Sequence, residues 1–256
     1  MAYGTIIYES RGPIGILTLN RPECLNAVNV AMSQELNRFL LERLADLETR
    51  VLILTGAGRG FCSGLDMKET MANIPAGGYP PKLAYERQRG FSEMILLMRR
   101  IPQPIIAAVN GPAAGVGLSF ALASDVRYAA AGAKFSAAYI NIGVGGADLG
   151  SSWLFPRAVG TANAARYLMT GDLFNAEEAL RIGMVQAIFD PEKLLEEAMK
   201  LAQTMVSKSP LGLRLTKEAL DRNTGGATLE DAILLEDRNQ AMCISQLTTG
   251  SGKQPE

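Results

Sequence analysis

Histidine is absent from this 256-residue chain. That absence excludes a Ser-His-Asp triad, a Cys-His pair, a histidine metal site and a histidine general base. Cysteine is scarce: Cys24, Cys62 and Cys243 are odd in number and far apart. They supply neither a disulfide framework nor zinc-ligand spacing, so a reducing compartment and no metal are expected. No run approaches the ~20 apolar residues of a membrane span. Residues Met1–Ser10 carry neither the basic and apolar regions of a signal peptide nor the Arg-rich bias of a transit peptide. Charge of either sign is not in excess. Lys plus Arg number 25 against 26 Asp plus Glu, which leaves no bulk attraction for nucleic acid or anionic membrane. A cytoplasmic protein with neither of those partners is the expectation. Three glycine signatures also fail. Gly115-Val-Gly117 is not completed to G-x-G-x-x-G, and G-K-[ST] and G-x-S-x-G are missing.

What is present is an ordinary globular balance, 48% hydrophobic and 20% charged, at a length that supports one large domain or two small ones. Alternating or continuous apolar runs predict strands over Ile14–Leu19, Val51–Thr55, Pro104–Val109, Val126–Tyr128 and Lys134–Ala137. Helical spacing covers Ala31–Leu47, Ala84–Arg100, Gly115–Ser124, Leu154–Thr170, Ala176–Ile182, Pro191–Val206, Leu211–Arg222 and Thr228–Cys243. Strands alternating with helices predict an α/β fold with mostly parallel pairing. From about Asn175 the chain reads as helices alone. Trp153 is expected in the core and Asp125 at a structural junction. The loop Met71–Pro81, with its Gly-Gly-Tyr-Pro-Pro run, is expected to be mobile.

Two places look alike. One strand ends at Gly56 and runs into Gly-Ala-Gly-Arg-Gly-Phe-Cys-Ser-Gly-Leu-Asp-Met-Lys68. Another ends at Asn110-Gly111 and runs through Pro-Ala-Ala-Gly-Val-Gly117 into a helix. Helix starts expose unpaired backbone N–H groups at the positive end of a dipole. Two such starts converging would hold one oxygen that becomes negative during a reaction. The plainer alternative is that the glycines serve tight turns and close packing.

These stretches, with Leu19-Asn-Arg-Pro-Glu-Cys-Leu-Asn-Ala27, Leu154-Phe-Pro-Arg-Ala-Val-Gly160, Met169-Thr-Gly171 and Glu177-Glu-Ala-Leu-Arg-Ile-Gly-Met-Val185, resemble the crotonase superfamily, the enoyl-CoA hydratase/isomerase group, from about Thr5 to Gln246. The resemblance implies a spiral of ββα units over residues 1–195 and a helical C-terminal region over 196–256 that makes a homotrimer or homohexamer. It implies an acyl-CoA thioester as substrate, no further cofactor, and a place in fatty acid metabolism. The implied oxyanion donors are the backbone amides of Leu65 and Val116. CoA contacts fall on Cys24, Leu25, Ala27, Ser63, Gly64, Asp66, Met67 and Lys68, with Lys68 or Arg21 toward a phosphate. The acyl pocket falls on Tyr139, Gly115, Ile142 and Gly143. The short polar end Thr248–Glu256 stands where many relatives carry a further helix that closes the CoA site.

The family's hydratases use two glutamates, and the matching positions here are Ser119 and Tyr139. Neither is a carboxylate, which argues against two-glutamate addition of water. The loop Gly143-Val-Gly-Gly-Ala-Asp-Leu-Gly150 resembles the one on which dienoyl-CoA isomerases hold an aspartate, and the match falls on Asp148. Asp148, assisted by Ser119, is the expected proton carrier; the local alternative is a helix cap. Glu93 is a weaker alternative acid, and Glu86 is expected to be solvated. A lyase or isomerase acting through a thioester enolate is the leading reading. A hydrolase of a thioester or carbon–carbon bond, or an acyl-CoA binder without hydratase activity, are the alternatives.

Overall fold

Gly12, at φ +61°, turns strand β1 (Ile6–Arg11) back onto β2 (Ile14–Leu19), and the two pair antiparallel. The computed structural model describes residues 3–250, with side chains through residue 246. After a short turn at Pro22–Cys24 come α1 (Val30–Arg43) and β3 (Val51–Gly56). Next come α2 (Met67–Ala72), α3 (Pro81–Arg100) and β4 (Ile105–Val109). They are followed by β5 (Ala113–Ala114), α4 (Val116–Ala123), β6 (Val126–Ala130) and β7 (Lys134–Ser136). Then come α5 (Ser151–Val159), α6 (Thr161–Thr170), β8 (Phe174–Asn175), α7 (Ala176–Arg181) and β9 (Ala187–Phe189). Three helices close the described chain: α8 (Leu194–Val206), α9 (Pro210–Asn223) and α10 (Leu229–Gly250).

Six strands form one sheet in the order β1-β2-β3-β4-β6-β9, parallel at every pairing after the first. Strands β5, β7 and β8 form a second, small sheet. The central strands are buried on both faces, so β4 reads as a continuous apolar run rather than an alternation. One core lies between the large sheet and α1, α3 and α4, with Phe39, Phe61, Met94 and Phe120 at its centre. A second lies on the opposite face, where Leu194, Ala198 and Ala202 of α8 cover Ile16, Ile53 and Ile106. The boundary expected at 195/196 therefore passes through α8, a helix that belongs to the body.

The single helix expected over Leu154–Thr170 is two helices. Gly160, at φ +80°, separates α5 from α6, and its amide closes α5 on the Pro156 carbonyl. Trp153 is not core. It is 39% exposed on α5, and the Arg157 guanidinium lies 3.8 Å from its ring centre. Asp125, between α4 and β6, is structural as expected. It accepts from the Ile105 amide at 2.7 Å and pairs with Arg99 and with the buried Lys217 of α9. Lys217 also donates to the Met98 and Gln103 carbonyls, and Arg99 also pairs with Asp221. The elements missed in the sequence, β1, β5, β8, β9 and α2, are short or lie at a sheet edge. For β5, β8 and β9, pairing partners distant in the chain outweigh local pattern. Residues 251–256, most of the polar end, lie outside the described structure, as do the side chains of 247–250.

Candidate active site

Asn26 organises the first segment of the site. It is fully buried and adopts φ +57° beside Leu25 at φ +52°. Its side chain accepts from the Arg21 amide at 2.8 Å and donates to the Ala57 and Gly60 carbonyls at 2.9 and 2.8 Å. This turn holds Cys24, Leu25 and Ala27 against the first glycine loop. The Ser63 hydroxyl donates to the Cys24 carbonyl at 3.1 Å, and the Ser63 amide to the Leu25 carbonyl at 3.0 Å. Arg21 bonds the Ala27 carbonyl at 2.7 Å and pairs with Asp66 at 2.9 Å. It is a clasp between the two segments, not a free cation. Asp66 also caps α2 by accepting from the Glu69 amide. That bond, together with Arg21, holds its carboxyl below the usual carboxylate range. Met67 and Lys68 open α2, and Lys68 is exposed to solvent.

The amide directions follow from pairing. Val28 donates to the Gly64 carbonyl and accepts from the Asp66 amide, at 2.8 and 2.9 Å. In a parallel pair the flanked residue turns its own N–H away from its partner, so the Leu65 amide faces away from Val28. On the other side of this loop, Cys62 pairs in parallel with Ala113. Three residues on from each lie Leu65 and Val116. Val116 is the first residue of α4, whose opening amides have no acceptor within the helix. Two glycines bring the backbones together. A Cβ on Gly115 would lie 3.7 Å from Gly64 Cα, and one on Gly117 would lie 2.1 Å from the Cys62 carbonyl oxygen. Among the described residues, neither the Leu65 nor the Val116 amide has a hydrogen-bond acceptor. The Val116 amide thus stands at the positive end of a fully buried helix, where negative charge is favoured.

Around this pair lie Ser119 and Tyr139, both buried. The Tyr139 hydroxyl donates to the Gly115 carbonyl at 2.7 Å and is 2.6 Å from the Ser119 hydroxyl. Burial pushes the Tyr139 hydroxyl pKa up. Buried Cys62, beneath the loop, has a thiol pushed up to about 12 by the same cause.

Asp148 lies on the loop before α5. Its Oδ1 accepts from the Leu149 amide at 2.7 Å and from Gln88 of α3 at 2.6 Å. Burial pushes its carboxyl above the ordinary range, against the pull of those two donors. Its charge adds a little to the rise of the Tyr139 hydroxyl pKa, after burial. The cap alternative does not hold. The residue before α5 is Gly150, which has no side chain to cap, and the Ser151 hydroxyl instead accepts from the Asp148 amide. Leu149 adopts φ +47°, a conformation costly for a side-chain-bearing residue. Ile142 and Gly143 sit on the exposed turn that follows Tyr139 and adjoin the buried group through it. Glu93 is tied to Arg89 and Arg100, and Glu86 lies near Lys82. Gln88 and Asn26 were missed in the sequence. Asn26 had one local signal, an asparagine where the chain turns left-handed; Gln88 had none.

Among the described residues, no group of three or more metal-ligating side chains comes together, and no helix is long and apolar enough to cross a membrane.

Residues 9–254 match the family described as enoyl-CoA hydratase/isomerase. A probable enoyl-CoA hydratase of Mycobacterium leprae is 41% identical over 239 residues, 93% of this chain and 79% of that protein. The 1,2-epoxyphenylacetyl-CoA isomerase of Escherichia coli is 38% identical over 205 residues, 80% of this chain and 77% of that protein. The crystal structure of a probable enoyl-CoA hydratase/isomerase from Mycobacterium abscessus superposes with a TM-score of 0.85 at 37% identity, covering 93% of this chain and 90% of the other. The paired glycine loops thus lie within the matched residues, and the protein belongs to the enoyl-CoA hydratase/isomerase family of the crotonase superfamily.

Proposed function

We propose that this enzyme shifts a double bond in an enoyl-CoA through a thioester enolate. The Leu65 and Val116 amides hold the thioester oxygen, and Asp148 carries the proton. The observation that carries this reading is the parallel Cys62–Ala113 bridge, which sets the two unspent amides at equal steps beyond it. The ionised Asp148 takes a proton from the carbon next to the double bond. The electrons move toward the carbonyl, where the two amides stabilise the enolate oxygen. The carboxylic acid then returns the proton at the other end of the allyl system. A carboxyl whose neutral form is favoured by burial suits both halves of that transfer. Ser119 and Tyr139 supply no second carboxylate, so isomerisation fits better than hydration.

The turn holding Cys24, Leu25 and Ala27, together with Ser63, Gly64, Asp66, Met67 and Lys68, forms the wall on which CoA lies. Exposed Ile140, Ile142 and Val144, with Leu83 and Tyr85 of α3, offer apolar surface to an acyl chain of fatty-acid type. The chemistry uses two amides and one carboxylate and calls for no cofactor or metal. The exposed apolar residues of α10, Leu229, Ile233, Leu234 and Met242, support assembly into a trimer or hexamer. A cytoplasmic location fits a CoA thioester substrate.

Incubation in heavy water with saturated, 2-enoyl, 3-enoyl and dienoyl CoA esters, read by mass spectrometry, tests the reading. Deuterium gain and a moved double bond without water addition are expected. Release of free CoA would instead establish a hydrolase, and binding without exchange a non-catalytic binder.

A further inference from the structure

We propose that Tyr139, backed by Ser119, is a positioning residue for the oxyanion donor of Val116 rather than an acid, a base or a mere filler of the acyl pocket. The inference rests on the oxyanion reading above.

Tyr139 has one hydroxyl proton, and the Gly115 carbonyl at 2.7 Å takes it. The 2.6 Å contact with Ser119 is therefore a bond that Ser119 donates to the Tyr139 oxygen. The chain runs from the Ser119 hydroxyl to the Tyr139 hydroxyl to the Gly115 carbonyl. That carbonyl and the Val116 N–H belong to one planar peptide unit. Anchoring the carbonyl fixes the direction of the N–H, and a hydrogen bond received at the oxygen strengthens the N–H as a donor. Gly115, at φ +51° and ψ −118°, lies outside any regular conformation, and the relay adds a second hold on its peptide. The other half of the hole is built alike from backbone. The Gly64 carbonyl, in the same peptide unit as the Leu65 N–H, accepts from the Val28 amide at 2.8 Å. One oxyanion peptide is thus held by a main-chain bond, and the other, whose Gly115 carbonyl also accepts from the Ser119 amide at 3.1 Å, by a main-chain bond and a buried side-chain relay together. Burial keeps the Tyr139 proton in place at working pH.

The test uses butyryl-CoA labelled with carbon-13 at the thioester carbonyl and isotope-edited infrared spectroscopy of the bound ester. In the wild type the labelled stretch is expected below its frequency in water, the mark of a polarised carbonyl. In Tyr139→Phe it returns toward the free value, and α-proton exchange in heavy water slows by about tenfold in kcat, below the loss from deleting a whole donor. Affinity for free CoA and the pH midpoint of exchange stay as in the wild type. Ser119→Ala, which keeps Tyr139, gives a smaller shift in the same direction and carries the test alone if Tyr139→Phe does not fold. A wild-type stretch in these variants overturns the positioning role. So does a moved pH midpoint, which would make Tyr139 a proton carrier. A wild-type enzyme that leaves the stretch at its free value overturns the oxyanion reading itself.

Discussion

Gln88 of α3 donates to Asp148 at 2.6 Å, a bond spanning 60 residues that ties α3 to a carboxyl before α5 whose pKa burial raises. It stabilises the charged form and so opposes the effect of burial. Removing it by Gln88→Leu leaves burial less opposed and raises the Asp148 pKa. A step that needs the carboxylate then gains activity at higher pH. The pH profile of α-proton exchange is expected to move upward, with wild-type affinity for CoA.

Asp148→Asn is expected to abolish proton exchange while still binding CoA esters. Its stability moves the other way. The raised folded pKa means that ionised Asp148 weakens the fold at neutral pH, a cost that disappears as pH falls below the ordinary aspartate value near ~3.9. Asparagine keeps an acceptor for Gln88 and Leu149 without the charge. Thermal melts should show the variant equal to or above the wild type at pH 7, with the difference shrinking toward pH 4.

Gly117→Ala places a methyl 2.1 Å from the Cys62 carbonyl oxygen, against backbone that cannot swing aside as a flexible side chain would. The helix must then move away from the loop, which separates the two amides. Loss of one donor's share of transition-state stabilisation is about 3–4 kcal/mol, so exchange should fall ~100-fold or more. Steady-state rates with a saturated ester check this, with circular dichroism confirming the fold.

Asn26→Ala removes three bonds made by a buried side chain and takes that partner from the Arg21 amide and the Ala57 carbonyl, while the Gly60 carbonyl keeps Asn110. Each unsatisfied buried group costs roughly 1–3 kcal/mol. The variant is expected to melt earlier and to lose CoA affinity more than turnover, as seen in KM against kcat. An unchanged KM would remove this turn from the CoA wall.

Lys217→Ala acts far from the chemistry. It removes the buried one of Asp125's two cationic partners, leaving Arg99, and takes their donor from the Met98 and Gln103 carbonyls. A buried polar group left unsatisfied costs roughly 1–3 kcal/mol. Denaturant unfolding should record that loss, while exchange per folded molecule stays near wild type because Asp148 and the glycine loops are untouched.

Much of the fold was legible because buried parallel strands are written as plain apolar runs. Val51–Gly56 and Ile105–Val109 stand almost where the pattern puts them. The break at Gly160 was not legible, since an isolated glycine is also tolerated within helices and its φ is set by how α5 and α6 pack. Trp153 misled for a related reason. Its apolar bulk suggests burial, yet the neighbouring arginine gives the ring a partner at the surface.

The sequence alone determined which chemistry is available: no histidine, no carboxylate at positions 119 and 139, an aspartate at 148, and two glycine turns that expose amides. Those are properties of residue identity and local order. Only the tertiary structure decided that Leu65 and Val116 lie at matching steps of one parallel pairing, that the Tyr139 hydroxyl ends on the Gly115 carbonyl, and that Gln88 meets Asp148. Each joins segments 24 to 60 residues apart, and no local propensity encodes such contacts. They exist because polar groups drawn in by the packed core pair with whatever the fold brings within reach.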